Sequence, residues 1–284
     1  MNINKQQLLF FLQIIISAIL LFFIFRKVDF LYFGQLFKNP ELGGLIIAFL
    51  LFFLATLVGS FKWSLLANNI FSTKLSFKYF LAYNLIGGFY SIFVPGGTLI
   101  GEGVKAWRMS KKANMGGRLY LSVAIDRIVG FVSMGVIIIA IFIRERLLWT
   151  DSVSIVGFWI SLFCVIAGCT LLFIPRLFNA ILEISSKPLK NLFFYRYILS
   201  ARGYMKDYHT KPGIVFFAII ISVLSHLFVA GAIYKISESI MISIPFSLIL
   251  WAYVISLIMT FLPVSYAGLG IREGIFTYYF LLVG

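Results

Sequence analysis

Charge is what this chain lacks. Of its 284 residues only 10 are Asp or Glu, the four charged types together make up 12%, and 61% of the residues are hydrophobic. A water-soluble globule carries about a quarter charged residues to cover its surface, so a soluble fold is excluded and lipid becomes the expected solvent. The mean hydropathy of +1.02 agrees. Histidine and cysteine are nearly absent, two of each. No acids stand at metal-ligand spacing, no Ser-His-Asp or Cys-His set has supporting neighbours, and no GxxxxGK phosphate loop occurs, so neither metal, cofactor nor catalytic residue is expected. The two cysteines, Cys164 and Cys169, share one apolar run. Five positions place them about 140° apart on a helix, where they pack as small apolar residues and cannot pair.

The scarce acids leave 24 Lys and Arg in excess, a formal charge of +14. These cations fall mainly in short loops between apolar runs, as the positive-inside rule and anionic lipid head groups favour, and a nucleic-acid partner is excluded on that placement. A helix needs about 20 apolar residues to cross a bilayer. Such runs occur at 8–25, 42–61, 119–143, 153–174 and 214–234, and two more, 77–94 and 244–262, end in Pro/Gly clusters. The expected fold is all-α: a polytopic membrane protein of one domain over 1–284, with two re-entrant or broken-helix elements forming a pseudo-repeat near 77–110 and 244–284. The run 8–25 lacks a small-residue cleavage site and reads as a retained helix. If 77–104 dips in and returns to its own face, the basic stretches 62–78, 105–118 and 175–213 share the cytoplasmic side with the N-terminus, and the location is an inner (plasma) membrane. The stretch 175–213, basic and aromatic, suits either the head-group region or a cytoplasmic loop. The residues after Gly274 are too few for a further span, so a final C-terminal span is expected beyond this sequence.

Two elements carry the functional signal. The first reads Val94-Pro95-Gly96-Gly97-Thr98-Leu99-Ile100-Gly101-Glu102-Gly103-Val104-Lys105, and the second reads Leu262-Pro263-Val264-Ser265-Tyr266-Ala267-Gly268-Leu269-Gly270-Ile271-Arg272-Glu273-Gly274. Each follows a helix with a polar or small stripe: Asn84, Gly87, Gly88 and Ser91 before the first, Tyr253, Ser256 and Thr260 before the second. Proline stops those helices. Broken backbone at membrane depth is tolerated only inside protein or beside a water-filled cavity, and the helix that follows offers free N–H groups to an anion. A pair of such elements points to a transporter's substrate site. The plain alternative is a tight extramembrane turn.

An ionised side chain at the bilayer centre costs about 2.5 to 3.5 kcal/mol even on the mildest scale, so intramembrane charges mark pairing or function. Asp126 and Arg127 lie inside the run 119–143, with Ser122, Asp126, Gly130 and Ser133 on one stripe that should face protein. Arg127 points about 100° away, toward a partner at Glu102 or Glu273. A structural Asp–Arg pair is the competing reading. Glu102 and Glu273 are the candidates for binding a cationic head group or taking up a proton, and Lys105, Arg108 and Arg272 suit phosphate. His226, near Ser222 and Ser225, reads more readily as a helix-packing residue than as a relay.

The runs FVPGGTLIGEGVKAWRMSK, AIDRIVGF and LPVSYAGLGIREGIF resemble the lysylphosphatidylglycerol synthase transmembrane-region family, a flippase-like membrane domain also found as stand-alone proteins. The resemblance extends from about residue 8 to the end of the chain. In the bifunctional relatives this domain is associated with moving aminoacylated phosphatidylglycerol to the outer leaflet while a soluble domain makes it. This sequence carries no such soluble domain, so the resemblance implies translocation without synthesis. By motif position it implicates Pro95, Gly96, Gly97, Glu102, Gly103, Asp126, Arg127, Gly268, Gly270, Arg272, Glu273 and Gly274. Where the family often has a further acid after the arginine, this chain has Gly130, which weakens a proton relay there.

Two readings follow. One is a lipid flippase or lipid-binding carrier for a phospholipid or glycolipid head group, its partners being anionic or aminoacylated membrane lipids, with a second copy of itself as a further candidate. In that reading Glu102→Gln and Glu273→Gln abolish transport without unfolding the protein. The other is an intramembrane transferase on a lipid-linked substrate, with Glu102, Asp126 or Glu273 as general base.

Overall fold

A computed structural model of the chain describes residues 5–26, 34, 38, 40–94, 97–174, 211–260 and 265–282. Of the residues singled out above, Pro95, Gly96, Pro263 and almost all of the 175–213 stretch lie outside them. No strand occurs among the described residues. The helices are α1 (Lys5–Phe25), α2 (Leu42–Phe71), α3 (Phe77–Phe93), α4 (Gly97–Ala113), α5 (Gly116–Arg144), α6 (Ser152–Phe173), α7 (Pro212–Ser239), α8 (Phe246–Thr260) and α9 (Ile271–Leu281), with 3₁₀ turns at Arg146–Trp149 and Tyr266–Gly268. An all-helical solution follows from the composition, because in lipid each backbone N–H and C=O must be satisfied within its own segment. At the start of α6 a side chain supplies the cap. Asp151 accepts the Ser154 backbone N–H at 2.7 Å ahead of α6.

Among the described residues four helices are long and apolar enough to cross a membrane: Leu42–Phe71, Gly117–Arg144, Ser152–Leu172 and Pro212–Ser239. Phe11–Phe25 and Phe246–Thr260 are shorter apolar helices. The protein is therefore an all-α, multi-pass membrane protein. Large apolar side chains face outward along it, among them Phe22, Phe49 and Phe163, as expected where lipid replaces water. With 15 residues, α8 is about 22 Å long, shorter than a hydrocarbon core of about 30 Å, and it ends where the second Pro/Gly element begins.

One boundary differs from the sequence reading. The apolar run was expected to end at 61, leaving Lys62 at the head of a cytoplasmic loop. Instead α2 continues to Phe71 and buries Lys62. The helix tolerates this charge because an acid from another helix neutralises it.

The chain gathers into two compact units: Met1–Ala55 with Gly87–Gly101 and His226–Gly284, and Thr56–Ile86 with Glu102–Ser225. In the first, α8 is buried without interruption from Leu248 to Ser256, and Trp251 meets Tyr279 of α9 edge-on. In the second, Leu66, Ile70 and Phe71 of α2 join Ile125 and Val129 of α5, Leu172 of α6 and Val215 of α7 in one apolar cluster. A neighbouring cluster joins Trp63, Phe80, Met109 and Leu119. Burial of each such large side chain contributes about 1.5 to 3 kcal/mol relative to water, less relative to lipid.

Candidate functional site

Within the second unit the polar stripe of α5 faces protein, as its spacing requires. Ser122 and Ser133 are fully buried and Asp126 is 5% exposed. The Lys62 ammonium of α2 lies 3.1 Å from Asp126 Oδ1 and donates to the Asp126 carbonyl and to Ser222 Oγ of α7, each at 3.4 Å. Ser133 donates to the same Ser222 hydroxyl at 2.8 Å. One turn of α2 thus ties α5 and α7 together through a charge pair and two hydroxyls. The adjacent Trp63 indole N–H donates to Ser122 Oγ at 3.0 Å, and its ring meets Phe80 edge-on.

A second group of charges adjoins this pair through the Asp126-Arg127 backbone. Glu102 of α4 takes the Lys105 ammonium on Oε2 at 2.7 Å and the Arg127 guanidinium on Oε1. Lys105 is 1% exposed. Its ammonium also reaches Asn84 Oδ1 of α3 at 3.5 Å and stands 4.4 Å from the centre of the Trp63 ring, a cation–π arrangement that helps to offset desolvation. Asn84 in turn donates to Ser60 Oγ of α2 at 3.1 Å. Arg127 differs from the other cations of the cluster in leaving 33% of its side chain accessible, while its Nε is buried and has no acceptor among the described residues. Of the two partners open to Arg127 in the sequence, Glu102 is the one it takes.

In the first unit the two Pro/Gly elements touch. The Tyr266 hydroxyl donates to the Phe93 carbonyl at the end of α3 at 3.1 Å, closing one of the carbonyls that a helix C-terminus leaves open. A Cβ on Gly97, whose φ is +53°, would lie 3.7 Å from Ala267 Cα. Positive φ recurs at Ala267 (50°), Gly268 (79°) and Gly270 (84°). Glycine carries such angles at no steric cost, whereas Ala267 pays a strain of about 1 kcal/mol or more. The Ser17 hydroxyl of α1 accepts the Tyr266 backbone N–H at 2.8 Å, and the Leu20 side chain of α1 lies against Gly270. Between α3 and α4 the approach is closer still: Gly101 faces the Gly87 carbonyl and Ser91 with no room for a side chain.

Glu273 sits at the start of α9. Its Oε2 accepts the Gly270 backbone N–H at 2.8 Å and its Oε1 takes Arg272 Nη2 at 3.0 Å. This is the return half of a capping box. Glycine has no side chain to supply the other half.

The structure therefore brings Glu102, Lys105, Asp126 and Arg127 together, and places Gly97, Gly268, Gly270, Arg272 and Glu273 in the other unit. Arg108 points outward from α4. A Cβ on Gly103 would meet nothing within 4 Å, and one on Gly274 only Ile24 at 3.9 Å, so packing does not require glycine at either place. His226 lies 3.3 Å from the Tyr253 hydroxyl through Nδ1, the internal hydrogen bond of a packing residue. Sequence reasoning missed Lys62. Its signal was the unbroken pattern Trp63, Leu66, Ala67 and Ile70 at helical spacing beyond the charge.

No curated protein and no solved structure matches the chain. The family model described as the lysylphosphatidylglycerol synthase TM region matches residues 10–284, nearly the whole sequence, and the chain belongs to that family of membrane proteins connected with lipid.

Proposed function

We propose that the protein is a lipid flippase or lipid-binding carrier of a bacterial inner membrane, taking a phospholipid or glycolipid head group into its helical bundle while the acyl chains remain in lipid. The observation that carries this reading is the charge cluster Lys62, Asp126, Glu102, Lys105 and Arg127, in which Lys62, Asp126 and Arg127 stand on helices of spanning length and Glu102 and Lys105 on the shorter α4. A structural pair alone would be neutral and closed. Here the cluster ends in an arginine whose side chain is one-third accessible, and arginine carries the group best suited to grip a phosphodiester through two parallel hydrogen bonds. The interrupted backbone at Gly97, which approaches Ala267 of the second element, fits a bundle that opens to a polar passenger. The positive-inside pattern supports a cytoplasmic N-terminus.

The test is reconstitution of the purified protein into vesicles containing a head-group-labelled phospholipid, with a membrane-impermeant quencher added outside. Wild-type protein should make inner-leaflet label accessible, and Glu273→Gln should slow that exposure several-fold while the protein stays folded, because glutamine still accepts the Gly270 N–H. Labelled lipid that stays as protected as in protein-free vesicles would remove the carrier reading.

A further inference from the structure

We infer that the site selects a head group of net negative charge, a phosphodiester with no compensating amine, and discriminates against aminoacylated lipid. This inference rests on the carrier reading and narrows its substrate class. Charge bookkeeping within the second unit leads to it. Lys62 and Asp126 cancel. Glu102, by contrast, is shared by two cations, Lys105 and Arg127, so that triad carries one uncompensated positive charge. Both Glu102 oxygens are engaged by those cations, and Asp126 is 5% exposed and paired. Neither acid of the cluster is thus free to receive an ammonium.

An unbalanced buried charge is costly unless a counter-charge arrives. It is not spread evenly. Lys105 is sealed at 1% exposure by Glu102, Asn84 and the Trp63 ring, which leaves Arg127 as the place where the excess can be met. A phosphodiester monoanion completes the charge count. A head group bearing a lysyl ester would add one or two ammonium charges beside Arg127 and Lys105, with no unengaged carboxylate in the cluster to take them.

The experiment uses the full chain in vesicles of equal phosphatidylglycerol, phosphatidylethanolamine and lysylphosphatidylglycerol, with the co-purifying lipid quantified by mass spectrometry and transport followed for each lipid. Wild type should retain phosphatidylglycerol over lysylphosphatidylglycerol on the order of tenfold, as one charge contact in a partly screened site allows. Arg127→Gln, which leaves the neutral Lys105–Glu102 pair and so should fold, should lose that preference, and Arg127→Lys should keep most of it. Inorganic phosphate in millimolar excess should leave the retained lipid in place. Equal or greater retention of lysylphosphatidylglycerol, an unchanged preference in Arg127→Gln, or displacement of the lipid by inorganic phosphate would each overturn the inference. Transport of lysylphosphatidylglycerol without a preference for phosphatidylglycerol would overturn it while leaving the carrier reading standing. Preference without transport of any lipid would instead overturn the carrier reading alone.

Discussion

Lys62→Met is expected to destabilise the protein by about 3 to 5 kcal/mol, the cost of stranding a buried charge. Asp126 is 5% exposed, and its Oδ1 meets the Lys62 ammonium at 3.1 Å. Removal of the ammonium leaves a carboxylate among Ser222, Ser133 and apolar side chains, and it also withdraws a hydrogen bond from Ser222. Asp126→Asn strands the opposite charge and should cost a similar amount. The double variant Lys62→Met/Asp126→Leu should lose much less than the sum of the singles, because an apolar pair of similar volume replaces an ionic one. Unfolding in detergent micelles, monitored by helical circular dichroism as denaturant rises, measures all three. A loss below about 1 kcal/mol, typical of a solvated ion pair, would show that the pair is not buried as described.

Gly101→Val should open the approach between α3 and α4 and cost about 3 kcal/mol, the upper end of what overpacking does. A side chain there would run into the Gly87 carbonyl and the Ser91 backbone N, and backbone cannot swing aside as a side-chain tip can. Gly103 is the internal control. It lies two residues along the same helix, yet a Cβ there meets open space. Gly103→Ala should therefore be neutral or stabilise by up to about 1 kcal/mol through helix propensity. Thermal unfolding of the two variants side by side checks the contrast, and similar losses at both positions would contradict the packing.

Glu102→Gln, expected from the sequence to leave folding intact, is expected from the geometry to destabilise the bundle. Glu102 holds two cations, and its neutralisation sets them against each other in the bundle, so a loss of transport in that variant reports on stability as well as on mechanism. Glu273, one-third exposed and bonded to its own helix end, is the cleaner probe.

The all-helical, multi-pass class was legible from composition and run length, because lipid leaves the backbone few alternatives. The buried face of α5 was legible too, since Ser122, Asp126 and Ser133 recur at helical spacing. Lys62 was not. A lysine at the end of an apolar run looks like a loop residue, and its neutralising acid lies 64 positions away on another helix, where no local pattern can reveal it. The same holds for Lys105, whose spacing from Glu102 suggests a simple pair but whose enclosure by Trp63 and Asn84 depends on α2 and α3. The contact of Tyr266 with Phe93 spans 173 positions and likewise has no local signature. What the sequence did show was two Pro/Gly breaks of similar form, and that similarity was enough to single out the segments that meet.

A lipid head group is expected to reach the Arg127 side chain, one-third of which is accessible, within the bundle. Electron cryomicroscopy of the protein in phosphatidylglycerol nanodiscs tests it most directly. The expected result is a phosphate density within about 4 Å of the Arg127 guanidinium, at the reach of a charge-assisted contact, and its loss in Arg127→Gln. Acyl-chain density alone beside Arg127, with every head group at the membrane surface, would contradict it.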